Sequence, residues 1–264
     1  MTWVEYPIDE IDPRELIIED KRFKGQKLIL PELLDVHLWM VKEYFKDCKE
    51  PLDVINKVIV DVKYPLDAFG NPTDYHKYQA FMYLPKICLF TRVNKDDYWQ
   101  TTSETIWTKI GDCDDVSHMA GGGLELLGVP YYICYGLVYR GNKLLGGHAW
   151  IIFKHGDWYL AECTLDEPYS SYDEMPKINI ESNEWRWGNL IYKAFVRWNK
   201  RRIGVWMDRK ETKTFIEALR EALRMYSEIR VMKNRKKYEK KKLQEIAIEI
   251  GKKTKGIKKI QKAK

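Results

Sequence analysis

The sequence predicts an α+β domain, on three observations. A helical apolar period over residues 116–127 gives way to a strand period from residue 131. The strand-period segments are joined by short polar turns, which makes an antiparallel meander rather than alternating β–α units. And 264 residues with 45% apolar and 13% aromatic content supply a core too rich for a disordered chain.

The elements follow in order. The first thirty residues are polar, with Pro7 and Pro13, and are expected to wrap the surface. Pro31 suits a first helical position. Leu34, Leu38, Val41 and Phe45, widened by Leu33 and Trp39, predict one helix behind it. A second helix is predicted from Pro51 to about Val62 through Leu52, Ile55 and Ile59. Tyr64–Tyr78 holds Pro65, Gly70, Asn71 and Pro72 and reads as a loop. Residues 101–110 predict a short helix entering a turn at Gly111. Asp112 is then a good N-cap with Asp115 three residues on. Val116, Met119, Ala120, Leu124 and Leu127 form the apolar face, and Gly128-Val129-Pro130 ends the helix. Residues 131–139, Leu144–Phe153 and Trp158–Thr164 read as strands, with turns at Arg140–Lys143 and Lys154–Asp157. Trp185, Trp187, Trp198 and Trp206 are expected in core and rim packing rather than as a ligand platform. Thr214 and Glu217 resemble a capping box for a last helix through Phe215, Leu219, Leu223, Tyr226 and Ile229. This divides the chain into a helical part (1–97), a core (98–210), a C-terminal helix (211–232) and a tail (233–264).

Composition excludes several classes. No apolar run approaches the ~18–20 residues that cross a membrane. The start, Met1-Thr2-Trp3-Val4-Glu5, lacks the basic-then-apolar order of a secretory signal. Five cysteines at 48, 88, 113, 134 and 163 are odd in number and irregular in spacing, which argues against a disulfide framework and for a reducing, cytoplasmic setting, or a virion for a viral chain. Fourteen Lys/Arg against three Glu give residues 233–264 a net charge of +11, so the remaining 232 residues carry −5. A nucleic-acid or acidic partner therefore belongs to the tail alone. The plain reading of that tail is a solvated, partly helical extension with Leu243, Ile246 and Ile250 as a stripe. The sharper one is an anchor binding through phosphates, with strong salt dependence.

Cys113 is the chemical focus. It follows the N-cap in the first turn of a helix, where backbone N–H groups and the helix dipole favour a thiolate. Asp112, Asp114 and Asp115 oppose that charge, so an imidazolium partner is needed. His148, in Gly146-Gly147-His148-Ala149-Trp150, supplies one. A carboxylate is then required to orient the imidazole. If Lys154 pairs with Trp158 across the turn, Glu162 lies diagonally from His148 on the same sheet face; a different register separates them. Asp166 is the fallback. Asp114 and His118, four apart on the helix, are expected at the surface or in a supporting contact. Gly121-Gly122-Gly123 lies inside the helix, where each glycine costs roughly 1 kcal/mol of propensity, and predicts close packing against the meander. Cys48, Cys88 and Cys134 are expected in the core. A zinc site at Cys113, His148 and Cys163 lacks the usual paired-ligand spacing, so no metal and no cofactor is expected.

Gly111-Asp112-Cys113-Asp114-Asp115, then Gly147-His148-Ala149-Trp150, then Trp158-x-x-x-Glu162-Cys163-Thr164 resemble the motifs of the transglutaminase-like superfamily. These are a G-D-C-x-[DY] helix start, an H-A-W strand and W-x-x-x-[DE]-x-T on the next strand. The resemblance covers about residues 98–166; Glu162 stands where many members have Asp. It implies a fold related to papain-like proteases and a Cys113–His148–Glu162 triad acting on a peptide or carboxamide carbonyl of a protein or peptide substrate. The acyl group then passes to water or to an amine. It also implies an oxyanion donor at the Cys113 backbone N–H, with Gln100 or Trp107 as upstream candidates. The alternative is a non-enzymatic assembly or interaction module on the same fold, anchored by the basic tail.

Overall fold

Strand β1 (Thr2–Pro7) opens the chain and pairs with β11 (Arg202–Met207) nearly 200 residues later. The polar look of the N-terminus hides this. Only Trp3 of the strand is buried, as suits an edge, so the expectation that these residues merely wrap the surface is corrected. The computed structural model describes residues 1–19, 27–64, 75–84, 87–96, 99–208 and 214–233. The remaining strands are β2 (Ile17–Glu19), β3 (Lys27–Ile29), β4 (Tyr75–Leu84), β5 (Ile87–Asp96), β6 (Tyr131–Arg140), β7 (Lys143–His155), β8 (Asp157–Ala161), β9 (Glu184–Trp187) and β10 (Leu190–Trp198). The helices are α1 (Trp39–Phe45), α2 (Pro51–Asp61), α3 (Thr102–Thr108), α4 (Cys113–Leu126) and α5 (Phe215–Lys233).

One antiparallel sheet organises the molecule. Its strand order is β1-β11-β10-β6-β7-β8, with β9 paired to β10, while β2–β3 and β4–β5 form separate two-stranded ribbons. The β4–β5 ribbon corrects the reading of Tyr64–Tyr78 as loop throughout; residues 65–74 lie outside the described residues. The predicted 31–45 helix is also two elements, a 3-10 turn (Leu30–Leu34) and α1. Asp35 breaks it with φ 29°, because its carboxylate accepts from the Ser103 N–H (3.1 Å) and hydroxyl. The break leaves Trp39 75% exposed rather than in an apolar stripe.

The pleat assigns side chains to two layers. Ile133, Tyr135, Ala149, Ile151, Phe153, Val196 and Trp198 join the cluster that also holds buried residues of α1, α2 and α4. Trp3, Cys134, Trp150, Ile152, Leu160, Trp185 and Tyr192 make a smaller cluster of their own. So Trp185 and Trp198 are core, while Trp187 and Trp206 are partly buried at its margin.

Helix α4 is the hub. Every residue from Cys113 to Leu124 is buried. Its three glycines each admit a different neighbour. A Cβ on Gly121 would lie 2.8 Å from Ile133 Cδ1, one on Gly122 2.9 Å from Thr102 Oγ1, and one on Gly123 2.6 Å from Val54 Cγ1 and 2.8 Å from Phe45 Cε1. Only the first faces the meander; the others admit α3, and α2 with α1. Helix α5 closes the structure. The expected capping box forms between Thr214 and Glu217 (3.0 and 3.3 Å), and Phe215, Leu219 and Tyr226 are buried. The 233–264 tail beyond Lys233 lies outside the described residues. Among the described residues no helix is long and apolar enough to cross a membrane.

Gly123→Ala tests this enclosure. Helix propensity alone favours alanine by roughly 1 kcal/mol, whereas overpacking a filled core costs about 1–3 kcal/mol. The variant is expected to unfold at a lower urea concentration than the parent. A higher midpoint would show that α4 is not held this closely.

Candidate active site

The site begins at the α4 N-terminus. Asp112 caps the helix, accepting from the Asp114 N–H (3.1 Å), and the Asp115 carboxylate returns to the Asp112 N–H (3.1 Å). Asp115 also accepts from the Gln100 backbone N–H (2.7 Å) and side-chain Nε2 (2.8 Å). Gln100 Nε2 donates further to the Ile110 carbonyl (2.8 Å). Both of its amide hydrogens are thus engaged, and Gln100 acts here as a brace for the turn before Cys113 rather than as a free oxyanion donor. Lys63 ties the same turn to the exit of α2, its N–H donating to the Lys109 carbonyl (2.8 Å) and its carbonyl accepting from the Gly111 N–H (3.2 Å). Trp107, the other upstream candidate, is half exposed at the end of α3.

Cys113 is wholly buried and packs in the cluster that includes Ala149, the strand neighbour of His148. Asp114 and His118 are wholly buried too, so of the two expectations the surface one falls and the supporting one stands. The Tyr226 hydroxyl of α5 donates to Asp114 Oδ1. His118 lies between the Tyr135 hydroxyl (Nε2, 2.8 Å) and the Gln100 carbonyl (Nδ1, 3.3 Å). Tyr226 stacks on Tyr135 with centroids 4.8 Å apart, so α5 is built into the same core.

His148 and Glu162 meet. Lys154 stands opposite Trp158, the register on which the diagonal pairing depended. Strand β8 ends at Ala161, opposite Ile151, and Glu162 follows it on the His148 side. Glu162 Oε2 lies 2.5 Å from His148 Nε2. The same oxygen accepts from the Tyr192 hydroxyl (3.3 Å), while Oε1 accepts from the Thr164 N–H (3.0 Å) and hydroxyl (2.7 Å). Burial by itself would raise the Glu162 pKa; the charge and bond of His148, with Thr164, outweigh it and hold the carboxyl below its ordinary value. Burial and the adjacent carboxylate push the Tyr192 phenol far up, which keeps it a donor. A carboxylate at Nε2 fixes the proton on that nitrogen and leaves Nδ1 as the basic one. Trp150 lies near parallel to the imidazole (6.2 Å, 24°), and Tyr169 locks the Glu162 backbone from both sides, accepting from its N–H (2.9 Å) and donating to its carbonyl (3.1 Å). With Glu162 in this place the exposed Asp166 is not the partner of the ring.

Thr164, Tyr169 and Tyr192 escaped the sequence reading as site residues. Thr164 had a signal, its place two residues after Glu162. Tyr169 and Tyr192 reach the carboxylate only through tertiary folding.

A cleft of about 490 Å³ opens beside the pair. It is lined by His148, Glu162, Thr164 and Tyr192, with Gly146, Gly147 and the apolar Val138, Leu145, Leu165, Trp187 and Leu190 among its walls; Cys113 is not in that lining. Trp187 forms a wall and does not fill the space. Asp112, Cys113 and Asp114 bring potential ligand atoms within 4.8 Å of one another. Both carboxylates already have structural work, one as a cap and one at Tyr226. Cys48, Cys134 and Cys163 are buried as well, and burial pushes their thiols up. Cys163 belongs to the same cluster as Cys113, across the sheet from Glu162. The Cys88 side chain lies outside the described residues.

His118 makes a pH prediction. Burial lowers its pKa from 6.5 to about 4, against the opposing effects of the Gln100 carbonyl and Asp112. Between those values the unfolded chain binds the extra proton. The stability held by neutral His118 is therefore complete above about pH 6.5 and is lost as pH falls toward 4, at up to ~1.4 kcal/mol per unit. Urea midpoints measured from pH 7 to pH 5 should fall more steeply in the parent than in His118→Gln; equal slopes contradict the assignment.

The sequence matches no protein-family model and no curated protein. Among solved structures the chain is similar to Legionella pneumophila LapG in its EGTA-treated form, at 14% identity over 76% of this chain and 95% of that one, with TM-score 0.39. The calcium-bound form of LapG gives 16% identity over 69% and 87%, TM-score 0.39. A candidate cysteine protease from Cytophaga hutchinsonii gives 13% identity over 82% and 68%, TM-score 0.34.

Proposed function

We propose that the protein is a thiol acyl-transfer enzyme, a transglutaminase-like cysteine protease or amidase acting through Cys113, His148 and Glu162. The supporting observation is the His148–Glu162 pair: a carboxylate with both oxygens engaged holds one ring nitrogen protonated and frees the other for proton exchange. His148 Nδ1 takes the Cys113 thiol proton, and the sulfur attacks a carboxamide or peptide carbonyl. The Cys113 backbone N–H stabilises the oxyanion. The imidazolium, steadied by Glu162, returns the proton to the leaving amine. Water, or a second amine, then releases the acyl group from the sulfur. Because Cys113 is sealed in the resting fold, substrate entry displaces the residues that cover it.

That same burial favours a second reading, an interaction module in which the triad is idle. One assay separates the two. The protein is incubated with casein and a labelled primary amine, and products are read by mass spectrometry, where cleavage, deamidation and amine incorporation give different mass changes. The enzyme reading expects one of these, its abolition in a folded Cys113→Ala variant, and a loss of about 10²–10⁴-fold in His148→Ala. Unchanged casein, or activity that survives Cys113→Ala, favours the module.

A further inference from the structure

We propose that Tyr226 of α5 is a positioning residue for Cys113: it holds the Asp114 carboxylate ionised beside the sulfur, so that Cys113 rests as a thiol and gives up its proton only to His148 during attack. The consequence for turnover rests on the acyl-transfer reading above; the resting protonation of the sulfur does not.

The first observation is distance. Carboxylate oxygens of Asp112 and Asp114 and the Cys113 sulfur lie within 4.8 Å of one another, and all three residues are buried. Negative charge that close, away from water, favours the thiol over the thiolate. The second is the donor. Burial favours the neutral form of a carboxyl, whereas an O–H that donates to it favours the ionised form. Tyr226 brings such an O–H to Asp114 Oδ1 from 112 residues further along the chain. The third is rigidity. Tyr226 is wholly buried, stacked on Tyr135 at 4.8 Å and set edge-on to Trp99 at 6.1 Å. Tyr135 is bonded in turn to His118 (2.8 Å). Turning the phenol away from Asp114 would open that aromatic stack.

The other ionisable groups around this turn do not reverse the balance. Asp115 adds negative charge, and its oxygens accept from Gln100 and from the Asp112 N–H. His118, further along α4, is held neutral by burial at neutral pH. Lys109, the nearest lysine or arginine in the sequence, is paired with Asp61 (3.2 Å). Cys163 packs in the same cluster, and burial keeps it a thiol. The α4 N-terminus favours negative charge, but that preference is shared among the carboxylates of the turn as well as the sulfur.

The step balances simply. The Cys113 S–H proton passes to His148 Nδ1 as the S–C bond forms, and from there to the leaving nitrogen as the C–N bond breaks. Water then supplies OH to the acyl carbon and H to the sulfur.

The full chain is labelled with carbon-13 at the cysteine Cβ, and the Cys113 resonance, identified by its loss in Cys113→Ala, is followed by NMR across neutral and alkaline pH. Its midpoint is expected above the roughly 8.5 of a free thiol. Tyr226→Phe, which removes one oxygen, is expected to lower that midpoint by about half a pH unit or more, which is about threefold more thiolate at a fixed pH below it. Asp114→Asn is expected to lower it at least as far, and adding Tyr226→Phe to Asp114→Asn is expected to lower it no further. A parent midpoint at or below that of a free thiol, or no downward shift in Tyr226→Phe, overturns the proposal. So does an equal Tyr226→Phe shift with Asp114 already replaced, which is what loosened packing alone would give. If Asp114→Asn does not fold, the Tyr226→Phe shift decides. Casein left unchanged in the assay above defeats the acyl-transfer reading, and the midpoints still decide the role of Tyr226; casein modified with unshifted midpoints defeats this inference alone.

Discussion

One hairpin register, Lys154 opposite Trp158, decides which side of the sheet carries Glu162. Side chains alternate along a strand, so a slip of one residue would turn Glu162 away from His148 and bring Cys163 to it. The register is protected from both sides. Ile151, Phe153, Tyr159 and Ala161 fill one cluster, and Ile152 and Leu160 fill the other, so a slip would misplace apolar groups on both faces at once. Tyr169 then holds the chain just after the hairpin, and Asn56 of α2 holds Tyr169 through two 2.8 Å bonds. The orientation of one carboxylate is thereby fixed by the helical half of the molecule.

The Cys113 end is built on a different principle. Cys113 sits at the tip of a helix enclosed by α1, α2, α3, the sheet and α5, and close approach is obtained by leaving side chains out at 121, 122 and 123. Buried acids normally destabilise a core. Here they are consumed by capping and by bonds from Gln100 and Tyr226, so the turn before Cys113 is stiff. A stiff turn and an oriented imidazole are what the proposed acyl transfer would require to keep reorganisation low.

Much of this was legible in the sequence for a physical reason: the informative elements are local. Capping boxes at Asp112/Asp115 and Thr214/Glu217, the change of period at Tyr131, and glycine at the Gly141 and Gly156 turns all act within a few residues. What was not legible depends on distant partners. Strand β1 looks polar because it is an edge whose mate is β11. The helix expected to run on from Pro31 is cut at Asp35 by Ser103, 68 residues away. The run holding four tryptophans became three strands, β9 to β11, because Gly188 and Asn199 place turns within an otherwise unbroken aromatic pattern. At the site, Cys113, His148 and Glu162 stood out by spacing, and the last two meet. The donors that complete the carboxylate, and the burial of Asp114 and His118, came only with the fold, since charged residue types ordinarily signal surface.

The central claim is that the His148–Glu162 pair activates Cys113, and thiol reactivity tests it most directly. Cys113 and Cys134 are equally inaccessible and Cys163 nearly so, so a difference in alkylation among them reflects thiolate character or local opening around Cys113 and not resting exposure. Iodoacetamide labelling near neutral pH, resolved by peptide mass spectrometry, should modify Cys113 well ahead of the other two, and replacing His148 with alanine should remove that lead while the fold persists. Equal, slow labelling of all three in the parent protein, or a Cys113 rate indifferent to His148, would contradict the account.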